Sequence, residues 1–187
     1  MSKGSIYIIS GISGSGKSTI SDALIKRHSS IGRPVTLTTR TPRDGEHFGV
    51  HYFFITAETF LWLIDTEQIL EYTRVYGFTF YGTLRQSVTT LLEAGQDVLF
   101  VVDSRGVEQI QAIYPDSRVV FLAAPSDEEQ RERLSRRGTK GEDLEIRVEK
   151  AHEEMKWAEE HQIPVVINDT LEEAIAEVER VLQIKKG

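Results

Sequence analysis

The 187-residue chain contains no cysteine. That excludes disulfides, thiolate catalysis and cysteine-ligated zinc. Its five histidines are scattered, so zinc held by imidazole alone has little support. No stretch approaches the roughly eighteen uninterrupted apolar residues of a membrane-spanning helix. The opening "MSKGSIYIISG" also lacks the long apolar region and small-residue cleavage site of a signal peptide. A cytoplasmic location without a membrane partner is therefore expected. Positive charge is short as well: 22 Lys and Arg stand against 29 Asp and Glu, a formal net charge of -7. Such a chain has no global attraction for a polyphosphate backbone, so nucleic acid is not an expected partner. Any anionic ligand must be caught by a local cluster of basic residues.

What the chain does have is 40% hydrophobic residues, enough for a buried core, at a length that suits one folded unit with a small insertion. Strands and helices alternate. Ser5–Ser10 reads as a buried strand, a glycine loop follows, and Thr19–His28 has helical spacing of Ile20, Ala23 and Leu24. Val98–Val102 and Val119–Ala123 are unbroken apolar runs of the kind found in parallel strands covered on both faces, and Pro164–Ile167 suggests another. Helical segments separate them, which makes the fold class α/β. Between Pro34 and Thr83 the texture changes to short β-rich pieces around one helix, Ala57–Asp65, which reads as an insertion. Ser126–Arg137 and Glu142–His161 form two highly charged helices joined by "GTKG", and Leu171–Ile184 a last amphipathic one.

The stretch "GISGSGKST", Gly11–Thr19, fits G-x-x-x-x-G-K-S/T in full and lies between a predicted strand and a predicted helix, the context that pattern requires. Glycine permits positive φ and a close backbone approach, so successive N–H groups can be aimed at phosphate oxygens, and the helix start adds its positive dipole end. Gly11, Ser13, Gly14, Ser15, Gly16, Lys17, Ser18 and Thr19 are thus the candidate binding residues for a nucleotide's phosphates. Lys17 would reach the β- and γ-phosphates and Ser18 would hold Mg²⁺. A second anion site is suggested in the insertion, where "TTRTPRDGEHFGVHYFF" sets Arg40 and Arg43 beside hydroxyls and a glycine turn, with Tyr52 further on. Guanidinium forks take phosphate oxygens two at a time, and a tyrosine hydroxyl can add a donor.

From Ile6 to about Leu182 the sequence resembles the guanylate kinase family. The motifs that carry the resemblance occur in order: "GISGSGKST", "TTRTPRDGEHFGVHYFF", "LEYTRVYG", "YGT", "DSRG", "RLSRRGT" and "VVIND". The resemblance implies a P-loop core with a parallel sheet flanked by helices (residues 1–33, 84–125 and 162–187), a GMP-binding insertion (34–83) and a helical lid (126–161). It implies ATP and GMP as substrates, Mg²⁺ as cofactor, and phosphorylation of GMP, and of dGMP, to the diphosphate. Arg40, Arg43, Tyr52 and Tyr81 match the family's ligands for the GMP phosphate. Thr36, Glu71, Thr83 and Asp103 match positions that contact guanine, with threonine at 36 and 83 where serine is common. Lys17 and the lid arginines Arg133, Arg137 and, with one gap, Arg147 match the catalytic cations.

Glu71 makes chemical sense apart from the resemblance. Guanine presents N1–H and its exocyclic amino group as adjacent donors, and an ionised carboxylate offers two acceptors at matching separation; adenine has no such pair on that edge. The alternative is a strand residue facing solvent. For the lid arginines the alternative is a solvated charged face; their role in phosphoryl transfer would be positive charge around the moving group, supplied when the lid closes.

Three features depart from the family pattern. Where D-x-D is usual at the end of the third core strand, this chain has Val101-Val102-Asp103; Arg105 follows Ser104; and the "FTF" hairpin before Tyr81 is one residue longer, the lid near Lys140 and Gly141 one shorter. Asp103 keeps two roles open, a ligand to Mg²⁺-bound water or a guanine contact. A related P-loop kinase acting on ribose 1,5-bisphosphate and a non-catalytic guanylate-kinase-like interaction module are the competing readings.

Overall fold

The computed structural model describes residues 4–75 and 79–184. In chain order the elements are β1 (Ile6–Gly11), α1 (Lys17–Arg27), β2 (Ile31–Gly32), β3 (Leu37–Thr38), β4 (Phe53–Phe54), α2 (Ala57–Asp65), β5 (Ile69–Val75) and β6 (Thr79–Leu84). They continue with α3 (Arg85–Glu93), β7 (Asp97–Val101), α4 (Ser104–Ile113), β8 (Arg118–Ala123), α5 (Asp127–Arg136), α6 (Glu142–Glu160), β9 (Val165–Ile167) and α7 (Leu171–Val181). The alternation is that of an α/β protein, and its longest buried strands pair in parallel. No helix among the described residues is long and apolar enough to cross a membrane.

Two compact units divide the chain. One contains the stretch through Ile6, Ser30–Phe100 and Arg105–Ser117, and so holds the whole predicted insertion together with α3 and α4. Its four-stranded sheet runs β4-β3-β6-β5, with β5 and β6 antiparallel and β3 parallel to β4. Leu37, Phe60, Leu63 and Ile69 form its buried core, and Phe60 stacks on Phe80 with ring centroids 5.2 Å apart. The Thr56 hydroxyl caps α2 by accepting from the Thr59 N–H at 3.1 Å, which fixes that helix start where the sequence placed it.

Two pieces of this unit are less regular than their β-rich composition suggests. Within "VTLTT" only Leu37–Thr38 forms a strand, and within "VHYFFI" only Phe53–Phe54. The preceding residues fold as turns: His51 N–H donates to the His47 carbonyl at 3.1 Å and Gly49 N–H to that of Tyr52 at 2.9 Å, with Gly49 at φ 76°. Local hydrogen bonding there outcompetes a ladder. The lengthening read between Gly77 and Tyr81 involves residues 76–78, which lie outside the described residues.

The other unit contains Tyr7–Ser29, Val101–Ser104 and the chain from Arg118 onward, with the predicted lid helices inside it. Here β1, β8 and β9 are parallel, registered Ile8↔Val119 and Leu122↔Val166. Tyr7, Ile8 and Ile9 of β1 and Val120, Phe121 and Leu122 of β8 are at most 2% exposed, the two-sided burial that an unbroken apolar run signals. The segment after β7 follows β1, with Val102 N–H donating to the Ile9 carbonyl at 3.1 Å. α1 begins at Lys17, two residues earlier than its apolar spacing indicates, because Gly16 at φ 92° supplies the left-handed residue that turns the loop into the helix. α7 ends at Val181, three residues before Ile184, with Gln183 at φ 51°.

Candidate active site

The glycine loop joins β1 to α1, and the protein holds its carbonyls from behind. The Gln130 side-chain amide, on α5, donates to the Ser13 carbonyl at 2.9 Å, and the Asn168 amide, just after β9, donates to the Ser15 carbonyl at 2.8 Å. Both side chains are buried. The Lys17 ammonium donates to the carbonyls of Gly11, at 2.6 Å, and Ile12, at 2.8 Å. With carbonyls engaged on the protein side, what the loop offers a ligand is N–H groups, as an anion cradle requires. Gly11 and Gly16 are required by close approach as well as by φ. A Cβ at 11 would lie 2.2 Å from the Leu122 carbonyl oxygen, and one at 16 would lie 2.3 Å from the Asn168 amide nitrogen. The Ser15 hydroxyl is buried without a hydrogen-bond partner among the described residues, an orphan that a phosphate oxygen would satisfy.

Lys17 as a residue is half-buried, but its ammonium is enclosed. Desolvation lowers its pKa to about 8; the Glu154 carboxylate opposes that shift, Arg137 adds to it, Asp103 opposes it and Lys150 adds to it. Asp103 therefore stands within electrostatic reach of the lysine. Glu154 lies on the same face of α6 as Arg147, and burial raises its pKa against the pull of Lys17 and Lys150. Lys150 Nζ is 3.7 Å from Glu154 Oε1.

The three lid arginines are differently disposed. Arg147 donates from Nη1 to the Ser13 hydroxyl at 3.2 Å, and Arg137, at the end of α5, adds positive charge at Lys17. Arg133 instead pairs with Glu129 on its own helix at 2.7 Å. Ser18 and Thr19 are exposed at the start of α1. No group of three or more His, Asp or Glu that could hold a metal occurs among the described residues. A hydroxyl at 18 and a carboxylate at 103 nevertheless suit a hard cation that keeps most of its water and takes phosphate oxygens.

The other unit gathers the residues read for the second anion. In β5 and β6, Glu71 pairs with Thr83 and Thr73 with Tyr81 across the ladder, so Glu71, Tyr81 and Thr83 share one face. Gly82 between them faces the core, where a Cβ would come within 2.9 Å of the Phe60 ring. Glu71 is 3% exposed and accepts from the Thr83 hydroxyl at 2.6 Å, which disposes of the solvent-facing alternative. Tyr81, about 7 Å along the strand from Thr83, accepts at its hydroxyl from Arg40 Nε at 3.2 Å. The Arg40 guanidinium lies 5.6 Å from the Tyr52 ring centroid, and the Tyr52 and Tyr81 rings meet edge to face at 6.0 Å. Burial raises the Tyr52 pKa, so its hydroxyl stays a donor. Arg43 is exposed, and Thr36 stands just ahead of β3 with its carbonyl accepting from Phe53 N–H at 2.9 Å.

Four site residues escape sequence reasoning: Gln130, Asn168, Glu154 and Glu46. Asn168 lies inside "VVIND" and Glu46 inside "TPRDGE", so motif membership marked both segments without indicating what either side chain does. Nothing local distinguishes Gln130 or Glu154 from the other polar residues of two charged helices.

The family model for guanylate kinase matches residues 3–185. The guanylate kinase of Clostridioides difficile is 37% identical over 186 residues, covering 99% of this chain and 90% of its own. That of a Synechococcus strain is 39% identical over 181 residues, covering 96% and 82%. The crystal structure of guanylate kinase from Anaplasma phagocytophilum superposes with a TM-score of 0.78 at 28% identity, over 99% of this chain and 87% of that one.

Proposed function

The chain belongs to the guanylate kinase family, an enzyme that phosphorylates GMP, and we propose that its own residues do so in the following way. ATP is the donor. Its phosphates lie along the N–H groups of the glycine loop, where Lys17 leaves the carbonyls of Gly11 and Ile12 for the β- and γ-oxygens. Arg137 and Arg147 supply charge at the transferring group, and Arg133 joins them when it releases Glu129 on lid closure. Mg²⁺, held by Ser18 and through water by Asp103, would neutralise charge on the phosphates. GMP, and dGMP with it, places its phosphate among Arg40, Arg43, Tyr52 and Tyr81 and its base edge on Glu71, Thr83 and Thr36. In this reading the chain works in the cytoplasm as a core over 1–33, 84–125 and 162–187, a GMP-binding insertion over 34–83 and a lid over 126–161.

One observation carries this reading: a buried carboxylate, Glu71, held by the Thr83 hydroxyl at 2.6 Å on the sheet face that also bears the Tyr81–Arg40 pair. A paired acceptor beside a phosphate-binding guanidinium matches a purine monophosphate with two adjacent base donors, whereas ribose 1,5-bisphosphate has hydroxyl donors but no base edge to reach from its phosphate to such an acceptor. The test is a coupled ADP-release assay across GMP, dGMP, AMP, UMP and ribose 1,5-bisphosphate. GMP and dGMP should dominate; turnover of the bisphosphate with none on GMP would overturn the assignment.

A further inference from the structure

A guanidinium has five N–H donors, and in Arg40 protein groups already take most of them. Nη2 donates to both carboxylate oxygens of Glu46, at 2.8 and 2.9 Å, Nη1 to the Thr41 carbonyl at 2.7 Å, and Nε to the Tyr81 hydroxyl at 3.2 Å. The Glu46 carboxylate is built into the loop as well. Its Oε2 accepts from the Arg43 backbone N–H at 2.8 Å, and the Glu46 N–H closes the turn onto the Arg43 carbonyl at 3.0 Å. The Arg40 and Glu46 side chains are 16% and 17% exposed, so this is not a loose surface pair. Arg40 holds the Glu46 pKa down, and Tyr52 feels both charges. The residues assigned to the acceptor's phosphate are thus arranged around a carboxylate of the protein itself.

The two Glu46 oxygens share Nη2, a charge-assisted contact that occupies the donors a phosphate oxygen would take. We propose that Glu46 is an internal stand-in for the acceptor's phosphate, which keeps Arg40 in place while the site is empty and must give up its hold when a phosphomonoester enters. The inference rests on the reading of Arg40 as a ligand of the GMP phosphate. Two effects then oppose one another. Holding Arg40 in one geometry lowers the ordering cost of binding, while displacing a charged hydrogen-bond partner, and leaving its charge near a phosphate dianion, weakens binding. The second is larger here, because Tyr81, Thr41 and the Tyr52 ring fix Arg40 without Glu46. Glu46 therefore sets a ceiling on affinity for phosphate-bearing ligands and leaves the base edge untouched.

Glu46→Gln keeps the length of the side chain and an acceptor for the Arg43 N–H but removes the charge. Calorimetric titration of the nucleotide-free protein with GMP and with guanosine, for wild type, Glu46→Gln and Arg40→Ala, reads the effect directly. Glu46→Gln should tighten GMP about three- to tenfold and leave guanosine unchanged, whereas loss of a merely structural tie would weaken both. Should Glu46→Gln fail to fold, Glu46→Asp, one methylene shorter and so held less closely to Nη2, should tighten GMP in the same sense but by a smaller factor. Unchanged or weaker GMP binding in a folded variant, or an equal gain for guanosine, would overturn the proposal. Arg40→Ala separates the two layers: if it fails to weaken GMP, the phosphate-ligand reading of Arg40 is what has failed.

Discussion

Asn168 donates its side-chain amide to the Ser15 carbonyl at 2.8 Å across 153 residues of sequence, and the same nitrogen is what a Cβ at Gly16 would strike. The contact pins the glycine loop at the point where it turns into α1. A backbone carbonyl left buried and unpaired costs about 1–3 kcal/mol, and a loop free to rotate that carbonyl forward would present the wrong charge to a phosphate.

Asn168→Ala should therefore lower kcat/KM for ATP by about ten- to a hundredfold and reduce the unfolding temperature by several degrees, while KM for GMP changes little. Asn168→Asp should be worse than alanine, since it turns a carboxylate on a carbonyl. Steady-state kinetics varying each substrate in turn, with calorimetry, checks both. Equal losses in KM for the two substrates would show a global defect and not a loop-specific one.

Lys17 contributes to stability and to activity in opposite senses. Its folded-state pKa, about 8, lies below the ordinary 10.5. Between those values the unfolded chain binds more protons than the folded one, so this group makes stability rise with pH through that window and imposes its full cost below pH 8. Nucleotide-free Lys17→Met should accordingly be more stable than wild type near pH 7, with the difference shrinking toward pH 10.5. Thermal unfolding of both proteins across pH 7 to 10.5 reads the sign. In contrast, kcat for the variant should fall by several orders of magnitude, because an enclosed cation that compensates transferring phosphate charge has been removed.

Glu71 gives the third expectation. Its buried carboxylate accepts from Thr83 on one oxygen, and a carboxylate has lone pairs on both oxygens, so adjacent donors of guanine match it and the edge of adenine does not. Glu71→Gln replaces one acceptor with a donor. It should cut kcat/KM for GMP by about a hundredfold or more and narrow the preference for GMP over AMP. If that ratio stays constant while both rates fall, Glu71 is a structural residue and the base is read elsewhere.

The legibility of the site follows the range of its interactions. The glycine loop could be read because a cradle of this kind is local, with glycines, lysine and hydroxyl all inside Gly11–Thr19. The Glu71–Thr83 pair was legible as two motifs, though only the β5–β6 register shows that they share a hydrogen bond. Gln130 and Asn168 were not legible, since their partners lie 117 and 153 residues away and an amide on a polar segment carries no mark of its target. Glu46 is a different case. It is six residues from Arg40, within reach of local reasoning, but an acidic residue among arginines reads as turn chemistry until the geometry shows both of its oxygens on one guanidinium. Strand lengths failed for a related reason: the composition of Val50–Ile55 is β-rich, while the hydrogen bonds of its first residues close within residues 47–52.

Val101 provides the last prediction. It ends β7, half-buried, two residues before the Asp103 that bears on Lys17. An acid here would add a second carboxylate to a site whose proposed metal contacts are one hydroxyl and, through water, one carboxylate, and oxygen donors of this kind govern how well a hydrated Mg²⁺ is ordered. The charge carries a cost: a carboxylate placed in partial burial without a partner loses on the order of several kcal/mol unless water or metal reaches it. The two effects separate by measurement. Val101→Asp should lower the Mg²⁺ concentration needed for half-maximal kcat by about three- to tenfold, and it should lower the unfolding temperature in metal-free buffer while recovering part of that loss when Mg²⁺ is added. A folded variant with an unchanged Mg²⁺ dependence would mean that the strand end does not face the metal and that Ser18 and Asp103 suffice. A stability loss with no recovery on adding Mg²⁺ would place the new charge in the core, away from the phosphates, and would exclude position 101 from the metal site.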